Sequence, residues 1–155
     1  AMDFDLFVYE QLLKVKNRPE IFGKQQIYDK NDSVCGEEPC LLIHASRLSF
    51  EGLWEQVSSF GGVMFPAHID KNSNSLIANL GFIPPDSSFQ TAEIKDMKKL
   101  RDLKCENPYL ERCRIICNSD AHYLEHISER LWSLPVEERS PEAAVDALRR
   151  GLAGL

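Results

Sequence analysis

Three side chains in this sequence have the types and spacing of metal ligands: His68, Asp120 and His122. His68 follows Gly61-Gly-Val-Met-Phe-Pro-Ala, in which the apolar residues 63–65 stand behind two glycines and ahead of Pro66. That order predicts a buried strand whose end delivers His68 into a loop. The stretch Arg114-Ile-Ile-Cys-Asn-Ser-Asp-Ala-His122 is built alike, with residues 115–117 feeding a polar loop that carries Asp120 and His122. Two positions apart on an extended segment, Asp120 and His122 leave the backbone on the same face, as two ligands of one ion or of adjacent ions would. Carboxylate oxygen together with imidazole nitrogen suits Zn, Mn or Fe. Asp-x-His alone is a weak motif, because a hydrogen-bonded histidine in a polar loop has the same pattern. A second strand-end histidine, His68, brings the two readings level. Glu93, at the end of a third segment (residues 89–94), would share the same rim, with a plain surface carboxylate as the competing account. Asp70 reads more readily as a solvated loop aspartate.

The other reactive residues carry less. His126 lies four positions after His122, which on a helix would place both on one face, but a half-exposed histidine in a charged helix explains it equally. His44 follows an apolar run and reads as a satisfied core histidine. The five cysteines, at 35, 40, 105, 113 and 117, include no Cys-x-x-Cys pair, so small buried thiols fit better than a zinc site. No glycine-rich phosphate loop or nucleophile elbow occurs.

Loops of this kind sit at the carboxyl ends of parallel strands in α/β proteins, so the elements around them matter. Phe4, Phe7, Val8, Leu12 and Val15 recur at three- and four-residue steps and predict a first helix that stops near Asn17-Arg-Pro19. Residues 25–36 read as a β-hairpin excursion around the turn-like Lys30-Asn-Asp-Ser33. Ser49 caps a helix with Phe50, Leu53, Trp54 and Val57 on one stripe, ending at Gly61-Gly62. A short helix over 76–80 is closed by Gly81, and residues 95–104 form a Lys-rich solvated helix. A further helix is expected over 123–131. Ser140-Pro141 then opens a last helix whose inner face is Ala144, Val145, Leu148 and Leu152. Helices and strands alternate, which favours a parallel sheet with helices outside it, and the whole chain is read as one domain.

Composition narrows the function. The chain has 155 residues, 43% hydrophobic, enough for one real core. No apolar run approaches the roughly 18 residues that span a bilayer, and no secretion signal opens the sequence, so a cytoplasmic protein with reduced thiols is expected. Ala1 before Met2 reads as a one-residue addition. A formal charge of −6 argues against a broad grip on nucleic acid and means that an anionic substrate would need help from metal ions.

Phe65-Pro-Ala-His-Ile-Asp70, Ser75-Leu-Ile-Ala-Asn-Leu-Gly-Phe-Ile-Pro-Pro85, Ala92-Glu-Ile94 and Asn118-Ser-Asp-Ala-His122 resemble the later motifs of PHP-domain proteins, the polymerase-and-histidinol-phosphatase family of metal-dependent phosphoesterases. The resemblance is specific over residues 53–125. It implies a distorted (β/α)7 barrel with several metals at the carboxyl ends of its strands. His68 matches the family's Pro-x-His histidine, and Asp120 and His122 match its terminal Asp-x-His. By the same resemblance Glu93 and Asp120 are the catalytic candidates, Asn118 and Ser119 the substrate-binding ones, and His68, Asp120 and His122 the metal ligands. The substrate implied is a phosphorylated small molecule or nucleotide.

The family's opening His-x-His motif is missing, since the first histidine is His44. A whole α/β barrel takes about 200 residues or more. The chain is therefore expected to be the carboxyl-terminal part of such a barrel, holding at most a partial metal site and weakly active or inactive by itself. Exposed barrel edges would favour a homodimer. Two other functions stay open: a non-catalytic, self-associating interaction module, and a metal-dependent hydrolase of the amidohydrolase kind.

Overall fold

The structure is a computed structural model and describes residues 2–129 and 132–154. Six α-helices and four strands are present among them, the strands in two separate two-stranded sheets. The protein is thus mixed α/β, and among the described residues no closed barrel forms. The chain divides into two compact units, Ala1–Leu53 and Trp54–Leu155.

In the first unit, α1 (Met2–Gln11) ends six residues before the expected stop. The segment after it is extended instead. Lys16 bridges Cys40 in antiparallel fashion, Asn17 donates its N–H to the Pro39 carbonyl at 2.8 Å, and Leu41 donates to that of Val15 at 2.8 Å. These long-range bonds outcompete the helical periodicity of Leu12 and Val15. After the single turn of α2 (Pro19–Phe22), β1 (Gln26–Tyr28) and β2 (Val34–Glu37) form the expected antiparallel hairpin, with a bulge between Ile27 and Tyr28. Its turn is built by Asp29, whose carboxylate accepts the N–H groups of Asn31 at 2.8 Å and Ser33 at 2.9 Å. Those two donors, Ser33 first, hold the Asp29 carboxyl below the usual carboxylate range. His44 is half-buried beside a cavity of about 740 Å³ lined by Val15, Asn17, Leu41 and neighbours, and so is not the core histidine expected. The unit boundary falls inside α3 (Phe50–Ser59), whose first turn is capped by the Ser49 hydroxyl, an acceptor for Gly52 N–H at 3.0 Å.

The second unit carries most of the core. Phe89, Ala92, Ile94, Leu110 and Cys113 are all but excluded from water, together with Ile69. The helix α4 (Leu76–Leu80) has the bounds its sequence predicts: the Ser75 hydroxyl accepts Ala78 N–H at 3.1 Å, and Gly81 takes the left-handed φ of 80° that closes it. The strands β3 (Thr91–Ile94) and β4 (Arg114–Cys117) pair in parallel, with Thr91 opposite Arg114 and Glu93 opposite Ile116. Between them run a 3-10 turn (Met97–Lys99) and α5 (Leu100–Glu106), where one solvated helix was expected.

Residues 63–65 do not form the predicted strand. They are half-buried, and the backbone next to β3 is that of Pro66 and Ile69, which exchange single hydrogen bonds with Glu93. Pro66 has no N–H to extend a ladder, and His68, at φ 32°, turns the chain out of the extended region. The helix expected over 123–131 is reduced to one 3-10 turn (Leu124–His126), and residues 130 and 131 lie outside those described.

The last helix, α6 (Pro141–Arg150), starts where Ser140 accepts Ala143 N–H at 3.1 Å. Ala147 is its buried residue, while Ala144, Val145 and Leu148 are half-buried and Leu152 is exposed. Its carboxyl end is fastened to the sheet. Thr91 donates its hydroxyl to the Leu148 carbonyl at 2.6 Å, and the buried Arg114 guanidinium forks onto the Gly151 carbonyl at 2.7 and 3.0 Å.

Candidate functional site

Glu93 joins the two candidate loops. Its backbone N–H donates to the Pro66 carbonyl at 3.0 Å and its carbonyl accepts Ile69 N–H at 2.9 Å, which fixes the chain on either side of His68. One carboxylate oxygen accepts His68 N–H at 3.3 Å and the other accepts the Asn118 side-chain amide at 2.8 Å. The carboxylate therefore works here as a clamp between the loop after Pro66 and the loop after β4, with each oxygen already engaged.

Asp120 lies on the second loop at φ 48°, in the left-handed region where aspartate is tolerated better than most residues. One of its oxygens is 2.7 Å from Lys71 Nζ, and the other is 3.7 Å from His122 Nε2. The Lys71 hydrogen bond is the main reason its carboxyl titrates below the ordinary range. The positive charges of Lys71, His68 and His122 add to that effect, against some loss of hydration. The His122 side chain is 75% exposed, whereas that of Asp120 is 19% exposed. His68 is half-buried, and its Nδ1 is shielded from water with no hydrogen-bond partner. Lys71 and His122 thus flank Asp120 from its two oxygens, with His122 turned toward solvent. Asn118 is exposed on the rim and Ser119 is half-buried beside it.

Asp70 is not the solvated aspartate expected. It is 7% exposed, and its two oxygens accept the N–H groups of Lys95 at 2.8 Å and Asp96 at 3.0 Å. Asp70 therefore braces the chain after β3. Cys117, at the end of β4, is held protonated by burial first and then by the negative charges of Asp70, Asp96 and Glu93. His126 makes an edge-on contact with the Tyr123 ring, centroids 5.3 Å apart.

The donors fit a divalent ion by type: one carboxylate, one exposed imidazole, and one imidazole nitrogen that lacks a partner. Their arrangement is not a finished cage. Among the described residues no three His, Cys, Asp or Glu side chains form a metal-holding group. Lys71 is the residue that sequence reasoning missed. Its ammonium occupies one Asp120 oxygen, and the only signal was a cation directly after Asp70 in a polar loop. Comparison with known proteins adds no family: no family model, curated protein or solved structure matches the chain.

Proposed function

We propose that the second unit binds a divalent ion (Zn, Mn or Fe) through His68, Asp120 and His122 and acts on phosphate esters, in the manner of the PHP-type phosphoesterases its motifs resemble. The observation that carries this reading is the buried, unpartnered Nδ1 of His68 on a loop tied by Glu93 to the one that bears Asp120. A lone pair or N–H left without a partner away from water is costly unless a ligand uses it. A divalent ion at such a site supplies charge against phosphate oxygens and acidifies a water for attack. Asp120, ionised well below neutral pH, provides the anionic ligand. Glu93 acts as a positioning residue that holds both loops through its two oxygens. Asn118 and Ser119 stand on the rim, where an amide and a hydroxyl reach a phosphate group of a small molecule or nucleotide.

Three ligands hold one ion and do not make a multi-metal clamp, so turnover by these residues alone is expected to be weak or absent. In this reading β3, β4 and α6 correspond to part of a (β/α)7 barrel. The cytoplasm is the compartment proposed, in keeping with five unpaired cysteines and with no helix, among the described residues, long and apolar enough to cross a membrane.

A second reading, a self-associating module without catalysis, is favoured by large exposed apolar residues, among them Ile43 at 76% and Leu124 at 86% exposure. A homodimer is proposed under either reading. Elemental analysis of the purified chain after incubation with Zn, Mn or Fe separates the two, with mass in solution recorded on the same sample. One ion per chain, lost in the His68→Ala/His122→Ala double variant, is the expected result. A metal-free dimer indifferent to that double substitution would overturn the hydrolase reading and leave the module.

A further inference from the structure

Among the described residues the first unit buries two, Asn17 and Leu41, and both line one cavity of about 740 Å³. That is the size of a pocket for a small organic molecule. The wall is fixed by hydrogen bonds: Asn17 donates its N–H to Pro39 and Leu41 donates to Val15, each at 2.8 Å, while the Gln25 amide holds the Glu38 and Cys40 carbonyls at 3.0 and 2.7 Å. The Asn17 side chain is oriented within this wall. Its Nδ2 donates to the Gly23 carbonyl at 2.9 Å, so the amide cannot flip without setting one carbonyl oxygen against another. Oδ1 is left as an acceptor on a residue 6% exposed, shielded from water and, among the described residues, without a donor. A buried acceptor in that state is costly unless a ligand supplies the donor.

The rest of the lining specifies what that ligand carries. Val15, Phe22 and Leu41 offer apolar contact, and Lys16 and Arg18 bring two cations where, among the described residues, Glu20 is the one carboxylate. The lining is thus positive in a chain whose formal charge is −6, which favours an anion. Lys16, Arg18 and Phe22 are exposed, so their side chains can change rotamer to admit a ligand while the tied main chain stays in place. We propose that the cavity binds a small carboxylic acid with an apolar ring and a hydroxyl group. The hydroxyl donates to Asn17 Oδ1, the ring packs against Val15, Phe22 and Leu41, and the carboxylate meets Lys16 and Arg18. The site lies within the first unit and is independent of the metal-binding reading above.

The test is titration of the full chain, followed by proton–nitrogen NMR, with three probes: para-hydroxyphenylacetate, phenylacetate, which lacks the hydroxyl, and tyramine, which carries an ammonium in place of the carboxylate. Para-hydroxyphenylacetate is expected to shift the amides of Asn17, Leu41 and His44 together with the Asn17 side-chain amide. Loss of the one hydrogen bond predicts about three- to tenfold weaker binding of phenylacetate, and tyramine is expected to bind more weakly than para-hydroxyphenylacetate. The Lys16→Gln/Arg18→Gln double variant should weaken para-hydroxyphenylacetate and not tyramine; Asn17 is left in place because its amide also ties Gly23. Equal binding of phenylacetate, equal binding of tyramine, shifts scattered outside the cavity, or no shift with para-hydroxyphenylacetate at millimolar concentration would each overturn the proposal. Should the double variant fail to fold, the three probes on the wild-type chain decide by the same criteria.

Discussion

Asp120 and Cys113 represent two ways in which this fold treats an ionisable side chain. Asp120 is given a cation in hydrogen-bond contact and kept charged; Cys113 is 1% exposed, and burial outweighs the charges of Arg112 and Lys104 and pushes its thiol up to about 11. The consequence for reactivity is direct, because the thiolate is the nucleophile. Near pH 8, iodoacetamide is expected to label the exposed Cys35 and Cys105 in the folded protein and to leave Cys113 untouched; mass spectrometry of the alkylated peptides checks this. The same shift affects stability. The folded state holds the Cys113 proton more tightly than the unfolded chain, whose thiol titrates near 9, so its contribution is complete below that pH and declines as pH rises toward about 11. Denaturant melts at pH 8 and pH 10.5 are expected to show this loss, and a Cys113→Ala chain is expected to lack it.

At the scale of elements, the parts legible in the sequence are those whose signals are local. Gly81 closes α4, and Ser140 with Pro141 opens α6, because a hydroxyl cap and a left-handed glycine act within one turn of their own position. The parallel pairing of β3 with β4 was expected from the alternation of elements, and it brings Glu93 and Asn118 together. What the sequence did not disclose depends on partners far along the chain. Residues 63–65 have strand composition but no ladder, and the Lys71–Asp120 pair spans 49 positions. Gly151 belongs to this second group. It follows α6 at φ 60°, and a Cβ there would run into the backbone carbonyl and side chain of Gln90. Gly151→Ala combines a left-handed backbone with overpacking and is expected to cost about 2–4 kcal/mol in a denaturant melt. Gly81→Ala, with left-handed φ but open space around its Cβ position, is expected to cost less than Gly151→Ala.

Across the whole molecule the distribution of burial is uneven. Among the described residues the first unit buries only Leu41 and Asn17, and leaves Ile21, Ile27, Tyr28, Val34 and Ile43 exposed; the second unit holds the rest of the buried set. Within that second unit, Thr91 and Arg114 face each other across the parallel ladder and reach the Leu148 and Gly151 carbonyls at the carboxyl end of α6. A helix end is ordinarily where exchange with solvent begins, by fraying one residue at a time. Here the end cannot loosen without stripping a buried guanidinium of its acceptor, so the last turn of α6 and the two strands should open as one cooperative unit. Native-state hydrogen–deuterium exchange would then return nearly equal opening free energies for amides in the last turn of α6 and in β4. Arg114→Met should split that single value in two, freeing the helix end to breathe while the strands remain closed.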